Sequence, residues 1–127
     1  MNEKSHRTKA ERIERSLAAL DAEHFEAVIE GCMLAGTHWF NILLHRDRLA
    51  AENADAMHAE FLSLGARRKV ALQMPAALGA LDEIEALRTS HVRGDMPDGP
   101  AAARRALASL ALLRTQATGA DTDGGKR

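Results

Sequence analysis

The chain has 127 residues, 46% of them hydrophobic and 28% charged, and a formal net charge of −1. That length suits one domain around one core, and near-neutrality excludes the global basic signal of a dedicated nucleic-acid protein while leaving room for a local basic patch. Aromatics make up 3% and tyrosine is absent, which favours helix over sheet, and the single Cys32 excludes an intramolecular disulfide and fits a reducing compartment.

Residues 1–7 read as a frayed N-terminus. The opening stretch is charged and has no apolar core segment, so no signal peptide is expected and a cytoplasmic location is the default. Thr8, Lys9, Ala10 and Glu11 have the form of a capping box, in which hydroxyl and carboxylate satisfy the free amides of a helix start. A first helix over 8–20 follows, with a start near Ser5 as the alternative and Ala10, Ile13, Leu17 and Leu20 facing inward. Asp21 is the expected N-cap of a long second helix that can run on to Leu49.

The centre of that helix, His24 to His45, carries two adjacent apolar stripes. Phe25, Val28, Cys32, Ala35, Trp39 and Ile42 form one, and Ile29, Met33, Gly36, Phe40 and Leu43 the other. Two stripes imply neighbours on more than one side, so this is the expected central helix. Its length would suffice to cross a bilayer, but Glu26, Glu30, His38 and Asn41 argue for a buried helix in a soluble bundle, with no membrane partner. A third stripe, His38, Asn41 and His45, is polar and lies on one face towards the C-terminal end.

Between Ala50 and Met74, Asn53 or Asp55 is expected to cap a short helix through Met57, Phe61 and Leu64. Gly65 interrupts it and helix resumes over 66–73. Pro75 suits the first turn of a further helix, because its missing N–H is not needed there. Leu78, Leu81, Ile84 and Leu87 or Arg88 carry the stripe, and Gly94 suits the chain reversal. The last helix is expected to start near Pro100 with Asp98 as cap and to bury Ala103, Leu107, Leu110, Leu113 and Ala117. The tail from Gly119, residues 119–127, is expected to be disordered. No strand is expected. The predicted architecture is all-α: an antiparallel helical bundle with four main helices and a short intervening one, a single domain over 8–118.

The long second helix, EAVIEGCMLAGTHWFNILLH, is similar to the second helix of HEPN domains. The segment DEIEALRTSHVRGDMPDGPAAARRALASLALLRT is similar to that family's C-terminal half: a helix, an Arg-bearing polar turn and an Ala/Leu-rich last helix. The resemblance spans about residues 8–117. It implies a small bundle that commonly dimerises, often works beside a nucleotidyltransferase partner, and in many members cleaves RNA without metal. The family's catalytic motif is arginine followed four to six residues later by histidine. Arg88 matches the arginine, but five residues on stands Arg93, and His91 is too close. No arginine in the chain is followed by histidine at that spacing. The resemblance therefore implies an inactive relative that binds RNA, a nucleotide or a partner protein. Metal-independent cleavage with His91 standing in is the alternative, and a scaffold dimer a third reading.

Arg88, His91 and Arg93 are suitable residue types for RNA chemistry, since cleavage needs a base, an acid and fixed positive charge on the phosphate. The competing explanation is helix termination, with basic groups complementing the dipole. His38, Asn41 and His45 could line a ligand pocket with Arg88 and His91 if their helices pack side by side; otherwise they are satisfied polar groups in a helix interface. No cofactor is expected. A metal is a minor alternative: His38 and His45 lie two turns apart and would need ligands such as Glu30, His58, Glu60 or His91, and no HExxH or paired ExxH pattern appears. Arg46, Arg48, Arg67, Arg68 and Lys69 could form a basic patch for phosphate. Cys32, within an apolar stripe, reads as core.

Overall fold

A computed structural model describes residues 1–49 and 64–126, with side chains described to Gly119. Among the described residues there are five α-helices and no strand: α1 (Glu3–Leu17), α2 (Phe25–Arg46), α3 (Leu64–Gln73), α4 (Pro75–Leu87) and α5 (Gly99–Lys126), with a π-helical turn at Arg88–Arg93 between the last two. The short helix expected through Met57 and Phe61 lies outside the described residues.

α2 is the hub. α1 and α5 pack against it most extensively, and α4 crosses it as well. The packing partners fix the directions. Leu17 meets Gly31, Glu14 reaches Trp39 and His6 reaches His45, so α1 runs antiparallel to α2. Arg88 bonds Glu30 while Ile84 and Leu81 meet Gly36, so α4 is antiparallel too. Phe25 lies by Gly99, Gly36 by Leu113 and Arg46 by Ala117, so α5 runs parallel to α2. Both apolar stripes of α2 are covered by this arrangement, with Val28, Ile29, Cys32, Met33, Ala35, Trp39, Phe40, Ile42, Leu43 and Leu44 all buried. α2 is long and apolar enough to cross a membrane, yet most of it is enclosed by its neighbours, as the central helix of a bundle must be. Among its large apolar residues Leu34 is exposed. α1, α4 and α5 together thus cover most of the apolar surface of α2.

Several boundaries differ from expectation. α1 begins at Glu3, not Thr8. Asn2 caps it, its Oδ1 accepting the Ser5 amide at 2.8 Å. Thr8 lies inside the helix and donates its hydroxyl to the Lys4 carbonyl, so the apparent capping box is helix surface. Residues 3–7 are therefore ordered helix rather than a frayed end, and His6 is 1% exposed. Leu20 falls beyond α1 and is exposed. Asp21 does not cap α2. Its Oδ1 takes the Glu23 amide at 2.9 Å and the His24 ring nitrogen at 3.1 Å, closing a local turn four residues before the helix begins. These bonds hold its carboxyl below the ordinary range, the Glu23 amide foremost and the His24 side chain next.

α2 ends at Arg46 rather than Leu49, where Arg48 turns left-handed at φ 59°. Gly65 does not interrupt a helix but sits in the first turn of α3. Pro75 opens α4 as expected. On α5 the inward residue is Ala106, and Leu107 is exposed, because the buried positions 103, 106, 110, 113 and 117 follow alternating spacings of three and four. The backbone of α5 is helical to Lys126, past Gly119, where composition predicts a disordered tail.

Candidate functional site

Arg88, His91 and Arg93 occupy the π-helical turn that ends α4. The wider turn is closed by the Gly94 amide on the Thr89 carbonyl at 3.0 Å and by Met96 on Ser90 at 3.1 Å. Gly94 is required there for space, not handedness: a Cβ would meet the Ser90 carbonyl oxygen at 2.6 Å. Asp98 then turns left-handed (φ 64°), and its carbonyl accepts the Ala102 amide at 3.1 Å as α5 begins.

Within this turn Arg88 is engaged by carboxylates. Its Nε donates to Glu30 Oε1 at 2.6 Å, and Nη1 lies 3.7 Å from Glu85. The guanidinium therefore ties α4 to α2. His91 Nε2 donates to the Pro97 carbonyl at 3.2 Å, bracing the loop that leads into α5, while Nδ1 is enclosed without a hydrogen-bond partner. A carbonyl can only accept, so Nε2 carries the proton and the remaining basic nitrogen faces protein rather than solvent. Arg93 is exposed.

The polar face of α2 meets a partner from the N-terminal stretch that is expected to fray. His6, from α1, shares a hydrogen bond with His38, Nδ1 to Nδ1, at 2.9 Å, and its ring lies 5.2 Å from that of His38 and 5.3 Å from that of His45, the latter stacked. Asn41 is buried and donates Nδ2 to the Thr37 carbonyl at 2.8 Å. One His6–His38 nitrogen must be bare to accept the other's proton, so that lone pair is committed to the hydrogen bond. Among the described residues no group of three or more His, Cys, Asp or Glu has the geometry to hold a metal ion.

This cluster and the Arg88 turn are separate. Arg88 is anchored at Glu30, and His38 lies eight residues further along α2, an axial rise of about 12 Å. His45 is a further two turns away. Both groups lie along α2, at different levels of the helix.

The basic residues also divide. Arg67 donates to Asp82 at 2.6 Å, linking α3 to α4, whereas Arg46 points to the opposite partners, α1 and α5. Its Nη2 donates to the Ala117 carbonyl at 2.8 Å and its Nε lies 3.5 Å from Glu3. Arg46 helps line a groove left between α1 and α5 where they flank α2. The groove has two chambers, of about 450 and 200 Å³, which share Arg7, Trp39 and Thr118 as lining. The larger adds Arg15 and Arg114, the smaller Lys4 and Arg46. Five cations thus meet three carboxylates, Glu3, Glu11 and Glu14. Trp39 forms the floor, 1% exposed, and donates Nε1 to Glu14 Oε2 at 2.6 Å; Arg114 bonds the other oxygen of the same carboxylate. Sequence reasoning named Arg46 but missed Lys4, Arg7, Arg15 and Arg114, which come together only through the packing of α1 and α5 on α2.

Cys32 is buried with its thiol pushed up to about 12, by burial first and by the nearby Glu14 charge second, and it is a core residue.

Comparison with known proteins finds no match: no family model, no curated protein and no solved structure. The fold and the groove by themselves define an all-α protein with a basic, partly apolar cleft beside its central helix.

Proposed function

We propose that this chain is a catalytically degenerate, HEPN-like binding module that engages RNA or a nucleotide in the groove between α1 and α5. The observation that carries this reading is the groove itself. Its combined volume falls within the range of small-molecule sites, and its cations outnumber its carboxylates, as recognition of phosphate requires. The HEPN-like assignment draws its support from the order of elements: a long apolar α2, an Arg-bearing turn after α4 and an Ala/Leu-rich α5. A cytoplasmic homodimer acting beside a nucleotidyltransferase partner belongs to the same reading.

Binding is favoured over cleavage by what Arg88 and His91 already do. A general base must offer a nitrogen to the substrate hydroxyl. The donor nitrogen of His91 is held on Pro97 and its other nitrogen is enclosed, while Arg88 is neutralised by Glu30.

Fluorescence anisotropy with a labelled single-stranded RNA, at rising salt, tests the reading alongside a cleavage assay in EDTA. Binding that weakens with salt and leaves the RNA intact is expected. RNA cleavage lost in His91→Ala would restore the ribonuclease alternative, and absence of binding to RNA and nucleotides at low salt would leave the scaffold dimer.

A further inference from the structure

We infer that the smaller chamber, framed by Lys4, Arg7 and Arg46, is a seat for a phosphomonoester, with the attached nucleoside in the larger chamber. This deepens the binding reading above and rests on it.

The argument starts from Arg46. Of its three nitrogens, Nη2 is satisfied by the Ala117 carbonyl and Nε has only a long contact, 3.5 Å, with Glu3. Nη1 is enclosed and makes no hydrogen bond. Burying a guanidinium N–H without an acceptor is unfavourable, and an arriving anion would relieve it. Glu3, a side chain about half exposed in the first turn of α1, lines the same chamber. Its carboxylate stands where an anionic ligand would stand and holds that place only weakly. Lys4 lines the same chamber with no ion-pair partner among the described residues, and Arg7 reaches only an exposed i,i+4 contact with Glu11 at 3.6 Å. Three cations against one displaceable carboxylate suit a dianionic terminal phosphate better than the single charge of an internal phosphodiester. A chamber of about 200 Å³ admits a phosphate but not a whole nucleotide, and the adjoining one of about 450 Å³ takes the base and sugar.

The shared chemistry is a 5′-phosphate, whose source is either a free mononucleotide or the end of an RNA strand. Titration calorimetry with adenosine, AMP, and a tetranucleotide with and without a 5′-phosphate separates these. Fluorescence of Trp39, the single tryptophan, provides a second readout at the groove floor. AMP binding at least tenfold tighter than adenosine supports the seat with a free nucleotide as ligand. The same ratio seen only between the two tetranucleotides supports it with a strand end. Arg7→Gln, on an exposed side chain, should weaken the phosphate-dependent binding several-fold, Arg46→Met at least tenfold, and Glu3→Gln should strengthen it several-fold by removing the competing carboxylate. Circular dichroism confirms that each variant is folded. Equal binding with and without the phosphate, or indifference to both Arg7→Gln and Glu3→Gln, overturns the seat while the binding reading stands. No binding of any of the four probes overturns both.

Discussion

The bond between Trp39 and Glu14 lets the packing of α1 on α2 be measured. Trp39 is 1% exposed and its indole N–H has Glu14 Oε2 as acceptor at 2.6 Å. In Glu14→Ala the N–H stays buried with no acceptor, which costs about 1–3 kcal/mol. Loss of the Arg114 contact adds less than about 1 kcal/mol, since Arg114 is half exposed and can be solvated. A total near 2.5 kcal/mol follows. For 127 residues the unfolding entropy is about 0.27 kcal/mol/K, so the midpoint should fall by about 9 °C. Trp39→Phe removes the donor and some packing volume, while Glu14 keeps Arg114 and partial access to water. If the bond is the cause, Glu14→Ala in the Trp39→Phe background should cost under about 1 kcal/mol, a coupling of roughly 1.5 kcal/mol. Thermal and urea unfolding followed at 222 nm gives all four corners of the cycle without relying on tryptophan emission. Additivity within about 0.5 kcal/mol would refute the assignment and make the Glu14 effect a general one on α1.

Two glycines should respond in opposite senses. Gly79→Ala, in open space on α4, should stabilise by up to about 1 kcal/mol through helix propensity, whereas Gly99→Ala would press a Cβ to 2.4 Å from the Phe25 ring and should destabilise by about 1–3 kcal/mol; both are read from the unfolding midpoint. Cys32 should resist a disulfide reagent at pH 8 in the folded protein and react once urea unfolds it, because a thiol near 12 is about 0.01% ionised there against roughly a quarter for a free one. The folded-state value is raised, so this contribution is complete below the unfolded value near 8.5 and is lost as pH climbs from there towards 12. Stability should fall by at most about 1.4 kcal/mol per pH unit over that window, and Cys32→Ala should flatten the fall.

The central helix was legible because its signal is dense. An apolar residue at nearly every turn on two faces leaves one interpretation, and α2 buries both. The N-terminus was misread through a short motif. Thr8 and Glu11 have capping-box spacing, but Asn2 holds the cap, and a four-residue pattern cannot rank two possible starts. A better signal was present: His6 lies four residues before Ala10 and continues the spacing of Ala10, Ile13 and Leu17. A polar residue in step with an apolar stripe is either an error in the stripe or a buried group with a partner, and here the partner is His38. Arg88 shows the opposite limit. Its residue type and local pattern suggested catalysis, and only a carboxylate 58 residues away shows that it is tied to the core instead.

The same contrast separates the two arginine sites as places for function. Arg88 also has an enclosed Nη1 without a hydrogen bond, but its Nε is fixed by a short bond to Glu30, so a ligand would have to displace a well-made contact between α4 and α2. Arg46 is half committed: one nitrogen holds α5, one has a loose neighbour in the first turn of α1, and one is enclosed with nothing to bond. The cost of opening the second site falls on an exposed glutamate rather than on the core. A competing carboxylate in the first turn also explains how a basic groove can exist in a chain of net charge −1 with Arg46 partly paired. The groove is then selective by strength of charge: an anion must outcompete Glu3 for Arg46, which a dianion does more readily than a monoanion.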